Sequence, residues 1–335
     1  MGMLDHWHPV LRSRALRRGP VGVKVAGEPI AVFRTRSGGL GAVADVCPHR
    51  RLKLSAGAVA GDRLRCRYHG WTFDACGHGE SPGTPKLSAC ATSYDVAERF
   101  GLVWVKARGG SAVLPDLTTP GYLHICTLEH AIPAPLELAV DNFNEIEHSG
   151  TVHATFGYDL DRMHEVKVRF ETTDTTVRVI NVGPTKRINP VIGFLLNVRR
   201  GDLFHDDWTT HFSPVYSVFD HWWTSPDGSR ESMVRWRVYI FFVPVDENTT
   251  RAISVTYARS RYPGPGGSLR PFRWLFRWKL DEEIRADVDT LRHMADYDVG
   301  IDGMKLSRFD RVLGLTRERI RSIYRGESKL PLRIA

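Results

Sequence analysis

Four residues near the start of the chain have the types and spacing of a metal centre. They are Cys47-Pro48-His49 and, sixteen residues further on, Cys66-Arg67-Tyr68-His69. Thiolates hold iron–sulfur clusters, and two imidazoles in place of two thiolates raise the reduction potential. Each pair supplies one Cys and one His, so one iron would take two sulfurs and the other two rings. A structural Cys2His2 zinc site is the competing reading. A zinc finger, however, separates its Cys pair from its His pair, whereas here the two types alternate. The favoured reading is an electron-transfer [2Fe-2S] site, which raises the question of where its electrons go.

A second constellation follows about seventy residues later: Asp141-Asn142-Phe143-Asn144-Glu145-Ile146-Glu147-His148-Ser149-Gly150-Thr151-Val152-His153. Glu145 and His148 are three apart and share a helical face. His148 and His153 are five apart, about 140° of rotation on a regular helix. They converge on one ion only if the helix bulges or ends between them, and Gly150 offers such a break. The alternative is two unrelated surface histidines. Two histidines and a carboxylate would form the facial triad of non-haem iron(II) enzymes, with positions left open for oxygen. The carboxylate must come from elsewhere. On the helical pattern from Lys279 to Met294, Leu280, Ile284, Val288, Leu291 and Met294 form one apolar face. Asp287 falls in the middle of that face, Asp281 at its edge, and Asp289 opposite. A lone core-facing carboxylate is costly unless paired or metal-bound. Asp287 is therefore the candidate third ligand, a salt bridge to an arginine being the alternative.

The elements that must position these groups follow from turn signals and periodicity. Residues 21–33 suggest two strands around Gly27-Glu28-Pro29. Ser37-Gly38-Gly39 marks a turn into a strand over 40–46, Gly61-Asp62 a hairpin, and residues 74–79 a turn after Trp71-Thr72-Phe73. Residues 100–105 suggest a closing strand. Many short strands predict a small antiparallel barrel or sandwich with both ligand pairs on loops at one end. Gly109-Gly110, Pro115 and Pro120-Gly121 mark a boundary, giving domains of 1–110 and 111–335. In the second, extended segments over 166–170, 176–182, 211–219, 233–243 and 252–257 predict an antiparallel sheet. A helix over 280–295 packs on it, and a last helix runs over 315–325. Phe143, Phe156, Phe194, Leu195, Phe204, Phe212, Trp222, Trp223 and Trp236 could line a pocket, although each is as readily a core residue. Aromatic lining would favour an aromatic or polycyclic ligand.

The 335 residues suit two domains, and a 42% hydrophobic content supports large cores. The formal charge of +8, from 46 basic and 38 acidic residues, is spread along the chain. It suggests a solvated surface or docking of an acidic electron donor, not nucleic-acid binding, for which there is no motif. Five cysteines do not make a disulfide framework; Cys76, Cys90 and Cys126 suit small core or turn positions. There is no run of apolar residues long enough for a membrane span, and the opening residues have no signal-peptide core. A cytoplasmic protein is the expectation.

Cys47-Pro48-His49-Arg50, Leu54-Ser55, Gly57 and Cys66-Arg67-Tyr68-His69-Gly70-Trp71 resemble the Rieske signature. Trp7-His8-Pro9-Val10 and Gly27-Glu28-Pro29-Ile30 resemble the openings of Rieske oxygenase alpha subunits. Asp141-Asn142-x-x-Glu145-x-x-His148-x4-His153 is similar to the family's mononuclear-iron motif, and Ile284-Arg285-Ala286-Asp287-Val288 to the later ligand segment of its ketosteroid-hydroxylase-like members. The resemblance implies an α+β chain with an all-β Rieske domain followed by a helix-grip catalytic domain over a deep pocket. It implies a [2Fe-2S] cluster on Cys47, His49, Cys66 and His69, and Fe(II) on His148, His153 and Asp287. Glu145 stands where the family usually has the Asp that bridges the iron histidines to a Rieske histidine of the neighbouring subunit, in a homotrimer. The implied function is that of a terminal oxygenase component. It would use O2 to hydroxylate or oxidatively demethylate an aromatic or polycyclic molecule, monooxygenation being favoured. The alternatives are a dioxygenase forming a cis-dihydrodiol, or a Rieske electron carrier without oxygen chemistry. Arg51 and Lys53 add charges near the cluster that the family pattern lacks. No G-x-G-x-x-G follows a strand, and Gly264-Pro265-Gly266-Gly267 is a loop without it. NAD(P)H is therefore expected to act through a separate reductase, with or without a ferredoxin.

Overall fold

The computed structural model describes residues 2–263 and 269–327. The Gly264–Gly267 segment lies outside the described residues. The chain divides into two compact units: residues up to Asp116 together with Val243–Glu247, and Leu117–Phe242 together with the chain from Asn248 onward.

Short strands build the first unit: β1 (His8–Arg12), β2 (Val21–Val25), β3 (Glu28–Arg34), β4 (Leu40–Ala44), β5 (Ala58–Ala60), β6 (Arg63–Arg65), β7 (Thr72–Phe73), β8 (His78–Glu80), β9 (Ala89–Cys90), β10 (Tyr94–Arg99) and β11 (Leu102–Ala107). They form three antiparallel sheets in the orders β1-β11-β10, β2-β3-β4 and β5-β6-β7-β8-β9. Two-residue loops with left-handed backbone set the hairpins, because their twist matches that of the strands. Ala26-Gly27 joins β2 to β3, so the turn comes slightly before the expected Gly-Glu-Pro and Pro29 lies within β3. Phe100-Gly101 joins β10 to β11, so the closing strand begins only at Leu102. One apolar cluster gathers Val25, Ile30, Val32 and Val105; a second gathers Phe33, Leu54, Leu64 and Phe73 and includes both Cys47 and Cys66.

The second unit contains β12 (Leu123–Ile132), α1 (Leu136–Phe143), β13 (Lys167–Thr172), β14 (Thr176–Pro184), α2 (Pro190–Leu196), β15 (Leu203–Phe212), β16 (Val215–Thr224), most of β17 (Val234–Asp246, whose residues from Val243 on count with the first unit), β18 (Thr249–Ser260), α3 (Arg273–Arg292) and α4 (Arg311–Arg319). Its seven-stranded sheet has the order β12-β18-β17-β16-β15-β14-β13. Along β14 and β16, buried and partly exposed residues mostly alternate, as on a sheet with one covered face. The single strand expected over 211–219 is a hairpin instead. It turns at Ser213-Pro214, where proline can donate no ladder bond, and β15 lies before it. The expectation also missed β12.

Helix α3 begins well before residue 280 and ends at Arg292. Its buried face holds Leu280, Ile284, Val288 and Leu291, each such side chain contributing about 1.5–3 kcal/mol of hydrophobic stabilisation. Met294 lies beyond the helix end and is exposed, contrary to its expected place on that face. The last helix starts at Arg311 and widens into a π turn over Ile320–Tyr324. Among the described residues no helix is long and apolar enough to cross a membrane.

Candidate metal centres and pocket

The two Cys/His loops of the first unit have the same backbone construction. Cys47 N donates to Leu52 O (2.8 Å) and Arg51 N to Cys47 O (2.8 Å); likewise Cys66 N donates to Trp71 O (2.7 Å) and Gly70 N to Cys66 O (3.1 Å). Arg51 and Gly70, each four residues after its cysteine, both adopt left-handed backbone (φ 59 and 73). Arg51 thus occupies a conformation that suits glycine. Gly57 is required where it stands, since a Cβ there would lie 2.1 Å from Arg65 O, on the strand leading into Cys66.

Both cysteines are 2% exposed, whereas both histidines are on the surface. The rings of His49 and His69 are T-shaped to one another with centroids 4.5 Å apart, and His49 stacks on Trp71 at 4.9 Å. Burial pushes the Cys47 thiol up, as does the adjacent Cys66, while the N–H groups of His49 and Arg50 bond to its sulfur and pull it down. Two sulfurs held together inside and two imidazoles outside fit a cluster with an inner thiolate iron and an outer imidazole iron. Cys76 and Cys90 are exposed, on a turn and a short strand, and Cys126 is buried.

In the second unit, α1 ends at Asn144, before His148, which lies on a one-turn 3-10 helix over Glu147–Gly150. The helix thus already stops before His148, and the short turn that carries His148 ends at Gly150, between the two histidines as expected. A buried triangle anchors the helix end. Asn144 Nδ2 donates to Thr210 Oγ1 (3.0 Å), Ser217 Oγ donates to Asn144 Oδ1 (2.9 Å), and Thr210 and Ser217 bond at 2.9 Å. Lys186 Nζ then clamps the following loop by donating to the carbonyls of Ser149 (2.9 Å), Gly150 (3.1 Å) and His153. Gly157 permits a close pass, because a Cβ there would lie 2.5 Å from Ser149 O.

This brings His148, His153 and Asp287 together. The Nε2 atoms of the two histidines are 2.9 Å apart and lie 3.3 and 3.5 Å from Asp287 Oδ1. Ligands bonded at right angles to one metal at about 2.1 Å would be about 3 Å apart, so the three atoms have the size of one face of a coordination octahedron. The orientations agree. Glu145 Oε1 accepts from His148 Nδ1, and Glu283 Oε2 lies 3.1 Å from His153 Nδ1, which leaves each Nε2 facing Asp287. Asn142 Nδ2 donates to Asp287 Oδ1 (3.1 Å). Burial works against a charged His148, but Asp287 and Glu145 outweigh it and hold the ring up at about 10. Three carboxylates around two rings make a place suited to a cation.

Asp281, at the edge of the helix face, pairs with His130 (2.9 Å), and Asp289 is exposed. Glu145 uses its extra methylene to fold back, with Oε2 accepting from Glu147 N (2.6 Å) and capping the turn that carries His148. Asp141 faces the other way and pairs with Arg317 (2.8 Å).

A cleft of about 730 Å³, its open mouth included, lies against the triad. Of the aromatic residues expected there, Phe143, Phe156 and Phe204 line it. Phe212 and Trp223 are core residues, and Phe194 is 83% exposed on α2. The sequence reading missed Lys186, Glu283, Asp206 and His221. Glu283 carried a signal, being one helical turn before Asp287 on the same face. The others carried none, because they come from separate strands or loops.

Residues 6–95 match the Rieske [2Fe-2S] domain and residues 132–273 the vanillate O-demethylase oxygenase C-terminal domain, together more than half of the chain. The chain belongs to the Rieske oxygenases. It is 30% identical over 190 residues to the chloroplastic protein TIC 55 of Pisum sativum, covering 52% of this chain and 34% of that one. It is 30% identical over 160 residues to the oxygenase component of dicamba O-demethylase from Stenotrophomonas maltophilia, covering 44% and 46%. The match thus spans between about a third and a half of these relatives' length. The fold is that of dicamba monooxygenase bound to dicamba, with a TM-score of 0.76 at 18% identity over 95% of this chain and 96% of that one. Membership brings a [2Fe-2S] cluster with the Rieske domain and a mononuclear non-haem iron.

Proposed function

We propose that this chain is the terminal oxygenase component of a Rieske non-haem iron system, inserting oxygen into an aromatic or polycyclic small molecule by hydroxylation or oxidative demethylation. The observation that carries the reading is the 2.9, 3.3 and 3.5 Å triangle of donor atoms at the wall of an apolar cleft. Cys47 and Cys66 would hold one cluster iron, and His49 and His69 the other. His148, His153 and Asp287 would hold Fe(II). When bound, the two centres supply single electrons and O2 activation, respectively.

The remaining residues position and exclude. Glu145 fixes the His148 ring with Nε2 inward, Glu283 lies beside His153 Nδ1 as a charge partner, and Asn142 fixes Asp287. Phe143, Ile146, Leu280 and Ile284 give the cleft an apolar wall that keeps bulk water from the reacting end. Glu145, bonded to His148 Nδ1, would be the residue between this iron site and the cluster of a neighbouring subunit, the chains forming a homotrimer. In this reading residues 1–110 are the cluster domain and 111–335 the catalytic domain. Electrons come from NAD(P)H through a separate reductase, directly or by a ferredoxin, in a cytoplasmic setting. Relatives that include an O-demethylase component favour monooxygenation.

The test is a screen of aromatic and polycyclic compounds for O2 uptake with a competent reductase, products being identified by mass. His148→Ala is expected to abolish substrate-dependent uptake while the reduced cluster still forms. Undiminished uptake by that variant would overturn the reading.

A further inference from the structure

Opposite the apolar helix wall, the sheet side of the cleft carries a polar pair that the iron does not require. His221 Nε2 and Asp206 Oδ1 are 2.9 Å apart, both side chains are mostly buried, and both line the cleft. They are direct cross-strand neighbours on β15 and β16. The same register row continues to Asn181 on β14 and Trp236 on β17, so four neighbouring strands place a polar side chain side by side on one face. A carboxylate only accepts, so the proton of this bond sits on Nε2. The other nitrogen, Nδ1, is buried and has no hydrogen-bond partner; nor does Asn181 Oδ1 or Trp236 Nε1. Phe156, Phe204 and Phe219 surround the His221 ring at 5.1, 5.5 and 5.8 Å. Among the described residues Asp206 Oδ2 takes no hydrogen bond and, unlike His221 Nδ1, is not sealed from the cleft, so it is the acceptor that a ligand donor can reach.

The charge of the lining limits what that group can be. Glu145, Asp206, Glu283 and Asp287 line the cleft, and among the described residues no lysine or arginine does. A bound Fe(II) would offset part of this negative charge at its own end, but nothing on the sheet side offsets Asp206. A carboxylate, sulfonate or phosphate on the ligand would meet like charge without a cation to pair with.

We propose that Asp206 and His221 form the specificity pair of the cleft, anchoring a hydroxyl of a neutral, otherwise apolar ring substrate and discriminating against ring acids. The hydroxyl donates to Oδ2 of Asp206, and the Nε2–H of His221 holds that carboxylate in place through Oδ1. The hydroxyl end then lies on the sheet side, and the far end of the ring system faces His148, His153 and Asp287. This deepens the oxygenase reading and rests on it for the identity of the ligand as substrate.

The test is calorimetric binding to the iron-loaded, full-length protein of three probes that share one ring system: naphthalenemethanol, naphthoate and methylnaphthalene. The alcohol is expected to bind at least about tenfold tighter than either of the others. His221→Phe, which keeps an aromatic ring in the box, is expected to reduce the alcohol to the affinity of methylnaphthalene. Asp206→Asn, nearly isosteric, is expected to raise the affinity for naphthoate, an effect that a merely structural pair would not produce. The proposal is overturned if naphthoate binds the wild type as tightly as the alcohol. It is equally overturned if the alcohol does not bind, or if both variants keep the wild-type preference. Iron content measured on the same samples separates the two ideas. A protein lacking mononuclear iron but keeping the alcohol preference contradicts the oxygenase reading alone; an iron-loaded protein without the preference contradicts the Asp206–His221 assignment alone.

Discussion

At the scale of single residues, burial decides which groups can carry charge. His148 is buried yet held at about 10, because carboxylates face both of its nitrogens. His8 is the opposite case. Full burial, reinforced by His6, holds it down at about 3 from an ordinary 6.5. The unfolded chain takes up a proton on this ring near pH 6.5, whereas the folded chain does so only near 3. Its contribution to stability is therefore complete above 6.5 and is lost as the pH falls towards 3, at about 1.4 kcal/mol per pH unit. Urea unfolding followed by cluster absorbance between pH 7 and 4.5 is expected to show this slope, and His8→Gln to flatten it. A variant with the wild-type slope would assign the acid sensitivity to other groups. Such values follow from burial, which sequence does not report, so His8 appeared there only as part of a motif.

At the scale of elements, the iron ligands are set by a helix end, a 3-10 turn and a clamped loop. Lys186 lies on the connection after β14, and its three bonds to Ser149, Gly150 and His153 carbonyls fix the segment between the two histidines. Lys186→Met keeps the stem length and removes the donors. It is expected to weaken mononuclear iron binding by about 10- to 100-fold while the cluster stays intact. Iron release to a chelator measures this; unchanged release would show that the loop holds itself. Lys186 could not be read from the chain, because its partners are carbonyls, which every residue has. The neighbouring histidines could be, because their type and spacing are chemically specific. The same contrast runs through the fold. Gly61-Asp62 carried its turn chemistry in its residues and formed the expected hairpin. Ser213-Pro214 lay within an apolar run that reads equally as one strand or two, and the tertiary pairing of β15 with β16 decided it. Asp287 stood out because a carboxylate interrupts an apolar helix face. Asp206 and His221 did not, since partly polar strands are ordinary.

At the scale of the whole molecule, the account requires two metal centres in one chain, a [2Fe-2S] cluster on alternating Cys and His loops and a separate iron on a triangle of two imidazoles and a carboxylate. An electron carrier with a ligand-binding second domain would share the first centre and lack the other. Substrate choice, oxygen chemistry and trimer assembly all presuppose that the second centre is filled. The most direct measurement is iron and acid-labile sulfide per chain in the purified protein and in His148→Ala. The account predicts three irons and two sulfides in the wild type, and two irons and two sulfides in the variant. Two irons in both proteins, or a third iron retained when His148 is removed, would contradict it.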